Sequence, residues 1–183
     1  MRSALAPSPT RAAAEPLPAA TLDDIAAGFA AASPLWRAAV CHDPEGRRPA
    51  RLIATDRYEV WVIGWTTGQR VRLHDHGPSA GAVAVAEGAL VEVLPVGGSA
   101  VERPLVPGRT QGVPVGTVHD VVNRGVAPAT SIHVYSPPLT TMTYYDPATL
   151  APVGTEAVAP ERARLAPAAA ARVLHPSRRR AAP

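Results

Sequence analysis

Apolar residues change their spacing early in the chain. Leu22, Ile25 and Phe29 recur at helical intervals, and Thr21 with Asp24 three residues on has the form of a capping box. The pattern predicts a helix of about three turns that ends near Ser33-Pro34, because proline disfavours helical backbone in the residue before it. Leu35 to Val40 predicts a second short helix ahead of the turn Asp43-Pro44-Glu45-Gly46. From about residue 50 the pattern is that of strands, with Tyr58 to Trp65 a run of β-forming residues. Further strands are predicted at 70–76, 81–87, 89–95, 101–105, 110–114, 118–123 and 129–136. Glycine and proline break them at short intervals, the rhythm of an antiparallel sandwich or barrel.

The flanks differ. Residues 1–20 are rich in Ala and Pro and are expected to be disordered. Residues 21–160 read as one domain with its helices at the N-terminal end, and 161–183 as a tail with a helix expected over Arg162 to Leu174. At 183 residues, 46% of them hydrophobic, the chain has room for one ordinary core. No apolar stretch is long enough to predict a membrane span, and the N-terminus lacks the compact apolar run of a secretory signal. A single cysteine, Cys41, excludes an intramolecular disulfide and agrees with a reducing cytoplasm. The net charge of +3 gathers in Arg178-Arg179-Arg180 with Arg162, Arg164 and Arg172 nearby. With aromatics at 4%, a nucleic-acid surface of interleaved bases and rings is not expected, and the tail reads as a solvated end. A monomer is the expectation.

Candidate chemistry begins with His74 and His76. Residues i and i+2 of a strand share a face, so both imidazoles can aim at one point. His119 follows in Val115-Gly116-Thr117-Val118-His119-Asp120. A bare His-x-His also fits a solvated face. A second alternating set is Ser131, His133 and Tyr135, with Ile132 and Val134 on the opposite face. If that polar face turns inward, its groups need partners, and a hydrogen-bonded chain suited to holding a proton follows. The alternative is an outward, solvated row. There is no phosphate-cradling glycine loop with a following Lys and no nucleophile-elbow signature.

The glycine and proline grid sharpens this. Gly68, His74-Asp75-His76, Gly81 and Gly88 form one half, and Gly108, Pro114-Val115-Gly116, His119 and Asn123 the other. These halves resemble the paired motifs of the cupin superfamily, a jelly-roll β-barrel that holds a metal inside. The resemblance implies an all-β-dominated cupin jelly roll with short N-terminal helices, and His74, His76 and His119 as its metal ligands. One position departs: Gly81 stands where cupins usually carry a glutamate ligand. Three neutral imidazoles suit Fe, Zn, Cu or Ni, and leave a divalent ion its full charge to attract an anion such as a thiolate.

Together with Ser131-Ile132-His133-Val134-Tyr135-Ser136-Pro137-Pro138-Leu139, over roughly residues 48 to 147, the chain resembles the cysteine dioxygenase family, the thiol dioxygenase branch of the cupins. The resemblance implies Fe(II) on the three histidines and a small thiol and dioxygen as partners. It makes Tyr135 the phenol beside the substrate, with His133 and Ser131 supporting it. Animal members carry a cysteine crosslinked to that tyrosine; Gly81 occupies its position here, so no crosslink forms there. The family also clamps the substrate carboxylate with an arginine, and Arg51 is the candidate, with Arg48 the runner-up. Cys41 is expected to be a buried small side chain, and His42 and His175 surface residues. Asp75 and Asp120 are expected on the face opposite the ligands. Trp61 and Trp65 are expected to pack the core, and Asn123 to fix a turn or a contact behind the site. The implied activity is oxidation of L-cysteine to its sulfinic acid. A dioxygenase of 3-mercaptopropionate or another small thiol, or a non-catalytic cupin that senses or sequesters a ligand, stand as alternatives.

Overall fold

The chain enters its fold through a helix, α1 (Ala19–Ala31), in a computed structural model that describes residues 14–158 and 164–165. The helix begins ahead of the expected Thr21 cap. Ala19 and Ala20 are strong helix formers, and the Pro18 carbonyl accepts the Thr21 and Leu22 N–H groups at 2.9 and 3.2 Å. No side-chain cap forms, so the capping box is a sequence resemblance only. Order also starts earlier than expected, because Leu17 packs on the core and its N–H donates to Ser136 Oγ at 3.0 Å.

The expected helix over Leu35 to Val40 is absent. Ser33–Leu35 is a 3-10 turn, and the fully buried Trp36 folds back to donate its indole N–H to the Phe29 carbonyl at 3.0 Å. Burying that ring against α1 outweighs local helix preference.

Twelve strands follow: β1 (Ala50–Ala54), β2 (Glu59–Trp65), β3 (Arg70–Asp75), β4 (Ala80–Glu87), β5 (Leu90–Val96), β6 (Ser99–Leu105), β7 (Thr110–Val113), β8 (His119–Val122), β9 (Ala129–Ser136), β10 (Thr141–Tyr145), β11 (Pro152–Ala157) and β12 (Arg164–Leu165). They form two six-stranded sheets, β12-β1-β2-β9-β4-β7 and β11-β10-β3-β8-β5-β6. All pairings are antiparallel except β1 with β12, which is parallel. β12 lies where the sequence predicts a helix; the rest of that expectation, with His175 and Arg178-Arg179-Arg180, lies outside the described residues. Strands β10 and β11 fall in a stretch the sequence pattern leaves unassigned.

Both faces of the first sheet are covered, which is why every residue of β2 and β9 is buried. Val60, Val62, Ile132 and Val134 pack outward against Leu22 and Ala26 of α1 and against Trp36. Ile63, Trp65, Val83 and Val85 point inward to meet Val71, Leu90 and Val121 of the second sheet. The architecture is a cupin jelly roll, and the space between its sheets holds the polar residues.

Candidate metal centre

His74 and His119 are direct cross-strand partners between β3 and β8, and His76 lies one residue beyond the end of β3. His76 Nε2 lies 3.1 Å from His74 Nε2 and 3.5 Å from His119 Nε2, with all three rings buried. The ligand atoms of the three lie within 4.8 Å of one another. Their far nitrogens set the tautomers. His74 Nδ1–H donates to the Arg72 carbonyl at 2.7 Å, and His119 Nδ1–H to Glu92 Oε1 at 2.8 Å. Each therefore presents an Nε2 lone pair to the interior. His76 Nδ1 has no hydrogen-bond partner among the described residues.

This donor set fits a metal ion. One ring proton can bridge only one of the two short Nε2 contacts, so at least two lone pairs converge without a proton between them. A second proton is disfavoured: burial, then neighbouring His119, pushes His74 down to about 3, and burial with His74 and His119 holds His76 well below its ordinary value. A divalent cation relieves that convergence, and three imidazoles suit Fe, Zn, Cu or Ni.

The opposite sheet faces this cluster with Tyr135, whose ring centroid is 4.8 Å from that of His76. Behind it runs a buried chain. Trp65 Nε1–H donates to Ser131 Oγ at 2.8 Å, and Ser131 Oγ also lies 2.8 Å from His133 Nε2. His133 Nδ1 in turn lies 3.3 Å from Tyr135 Oη. When the serine hydroxyl donates to His133 Nε2, the ring proton sits on Nδ1, the phenol accepts it, and the phenolic hydrogen is free to donate into the cavity. Burial holds His133 down to about 3 and raises Tyr135 above its ordinary value, so both stay neutral across the ordinary pH range. Gly81 matters here. A Cβ at that position lies 3.1 Å from the Val134 carbonyl and 3.3 Å from the Tyr135 ring, so the glycine leaves room for the phenol as well as removing a carboxylate.

The three clustered histidines, His133 and Tyr135 line one cavity of about 760 Å³. Of the arginines near it, Arg51 does not line the cavity. It lies 3.3 Å from the buried Glu59 carboxylate and stacks over Trp61. The runner-up, Arg48, reaches the cavity rim but is exposed and paired with Asp43. Arg47, which sequence pattern does not single out, lines the cavity with its guanidinium 5.1 Å from the Trp65 ring centroid. Burial lowers its pKa, and no carboxylate pairs with it among the described residues. No period marks a loop arginine; only the closure of 41–49 over the barrel shows it.

Other expectations divide. Cys41 is exposed at the cavity rim rather than buried, because its loop runs over the barrel mouth. His42 is exposed, yet Nε2 lies 3.1 Å from both the Ala129 carbonyl and Thr130 Oγ1. Asp75 and Asp120 engage Tyr145 and Arg70 instead of the ligand cluster. Trp65 packs the core, whereas Trp61 also lines the cavity. Asn123 fixes a turn: its side chain takes the Gly125 N–H and donates to the Ala127 and Trp65 carbonyls.

A jelly roll with three inward histidines defines a metal-binding cupin. The model of the cysteine dioxygenase type I family matches residues 14–100, from the start of the described chain into β6. That match, over somewhat less than half of the chain, supports assigning it to this family within the cupin superfamily. It is a thiol dioxygenase-like, metal-dependent cupin. Among solved structures it is similar to a protein of Thermus thermophilus, 26% identical, covering 56% of this chain and 92% of that one, TM-score 0.49. It is also similar to a cupin-superfamily sugar phosphate isomerase of Silicibacter pomeroyi, 34% identical, over 56% and 67%, TM-score 0.48. A third is an uncharacterized conserved protein with a double-stranded β-helix domain from Klebsiella pneumoniae, 18% identical, over 66% and 90%, TM-score 0.49. No curated protein sequence matches. Among the described residues no helix is long and apolar enough to cross a membrane.

Proposed function

We propose that the protein is an Fe(II)-dependent dioxygenase that converts a small carboxylate-bearing thiol, L-cysteine first among them, to its sulfinic acid. One observation carries the reading: a buried three-histidine cluster, a neutral phenol and an unpaired, half-buried guanidinium share one cavity. The reaction, thiolate plus dioxygen to sulfinate, balances without any further reductant. His74, His76 and His119 would hold Fe(II), which when bound would supply a site for the thiolate and the electrons that activate dioxygen. The chain supplies the rest. Arg47 holds the substrate carboxylate, because a guanidinium withdrawn from water without a carboxylate partner is costly until an anion reaches it. Tyr135 donates its phenolic hydrogen beside the reacting sulfur, oriented by His133, Ser131 and Trp65 in turn. The apolar wall of Ile63, Val71 and Val121 limits water around them. A monomer in the reducing cytoplasm is the setting in which thiol and iron both stay reduced.

The test is oxygen uptake by Fe(II)-reconstituted protein, with sulfinate identified by mass spectrometry. Cysteine is expected to be consumed. Preference for 3-mercaptopropionate moves the assignment to that thiol, and no uptake with any small thiol leaves a ligand-binding cupin without turnover. Arg47→Ala is expected to raise KM for carboxylate-bearing thiols by about 10- to 100-fold, with little change for cysteamine. If Arg51→Ala shows that selectivity and Arg47→Ala does not, the clamp is Arg51.

A further inference from the structure

Glu92 is the one acidic side chain on the inward face of the metal-bearing sheet that touches a ligand histidine among the described residues. Its register partner on β8 is Val121, which packs in the core, so alternation turns Glu92 inward beside His119. The carboxyl group is buried, and its Oε1 takes the His119 Nδ1–H at 2.8 Å. The second oxygen, Oε2, has Arg103 Nη1 at 3.3 Å, an ion-pair distance without the alignment of a hydrogen bond. Neither His74, which donates to a backbone carbonyl, nor His76 has such a carboxylate.

We infer that Glu92 is a positioning residue that supplies, through His119, the negative charge which Gly81 withholds from the metal. A carboxylate on the far nitrogen of an imidazole fixes its orientation and tautomer and makes the near nitrogen a stronger donor. In a cupin with a glutamate ligand the anion sits on the metal itself. Here it stands one imidazole away, so the ligand set would gain electron density without a carboxylate on the metal itself. Arg103, half-exposed at 46%, draws on the same carboxylate from the surface and moderates its effect.

The inference rests on the reading of the three histidines as metal ligands, and its test needs neither thiol nor dioxygen. Zn(II) and Co(II) affinities of the metal-free protein are measured by competition with a metallochromic chelator. Glu92→Gln, which keeps size and an acceptor but removes the charge, is expected to weaken binding by about 10- to 100-fold and to shift the visible bands of the Co(II) form. In a His119→Ala background the same change is expected to alter affinity less than about twofold, since the charge acts through that ring. Arg103→Gln, a surface change, is expected to tighten binding by about two- to fivefold. Parent-like affinity and Co(II) bands in Glu92→Gln overturn the inference, as does an equal loss with and without His119. Should Glu92→Gln fail to fold, the Arg103→Gln affinity decides: unchanged or weaker binding overturns it. Failure of the parent to bind either ion overturns the metal-centre reading with it, whereas binding without thiol turnover leaves this inference standing and removes only the proposed reaction.

Discussion

At the scale of single residues, the polarity of the Trp65-Ser131-His133-Tyr135 chain decides what the phenol can do. With the serine hydroxyl donating to His133 Nε2, the protons run in one direction and leave Tyr135 a donor. Tyr135→Phe is therefore expected to lower kcat by about 10²-fold with metal content unchanged, read by oxygen uptake alongside metal analysis. A variant equally depleted in metal places Tyr135 in the framework of the centre instead. The buried histidines also set an acid limit. Burial lowers His74 and His133 to about 3, so in the metal-free protein they stay neutral while the unfolded chain takes up protons below about 6.5. Their contribution is fully present above that value and is lost as pH falls from about 6.5 toward 3, at most about 1.4 kcal/mol per pH unit for each group. Urea unfolding of metal-free protein between pH 7 and 5 is expected to show this loss, with a shallower slope in His133→Gln.

What the sequence reveals of this site follows from its periodicity. His74, His76, Ser131, His133 and Tyr135 are pairs or triples spaced two apart, so a strand's alternation groups them before any tertiary contact is known. Arg47 and Glu92 escape that logic. Arg47 comes from a loop, where no period applies. Glu92 did carry a signal, since it shares parity with Leu90 and Leu94 on an otherwise apolar face, but its meaning depends on β5 pairing with β8.

Among the elements, β2 holds the loop that brings Arg47 in. Gly64 is placed where a Cβ would lie 2.2 Å from the Cys41 carbonyl oxygen, so the loop packs directly on the strand backbone. Gly64→Ala must push that loop away. It is expected to destabilise the protein by about 1–3 kcal/mol and to raise KM for carboxylate-bearing thiols, checked by denaturation and by oxygen uptake. An unchanged KM means that Arg47 does not depend on this contact. The strand pattern from β2 to β9 was legible because both periodicity and turn residues agreed. The segment after α1 was not, because Trp36 reaches back to Phe29 and a local preference cannot show that.

For the whole molecule, a bound ion stabilises only the folded state, since the unfolded chain has no preformed cluster. At a free metal concentration about 1,000-fold above Kd the gain is about 4 kcal/mol, which for a domain of this size raises Tm by about 8–16 °C. A chelator is expected to remove that increment in calorimetry, and His119→Ala to shrink the increment that the chelator removes. A melt unaffected by chelator in the parent contradicts a metal tied to folding.

The ligands lie on one sheet or at its edge, with the phenol on the other, and that division separates holding from turning over. Shear between the layers leaves the imidazoles together while it misaligns the phenol. Moderate hydrostatic pressure, or a cavity cut in the inter-sheet core at Val83 or Val85, should therefore stop oxygen consumption before it releases the ion. A preparation with a full complement of metal is not, for this architecture, thereby an active one.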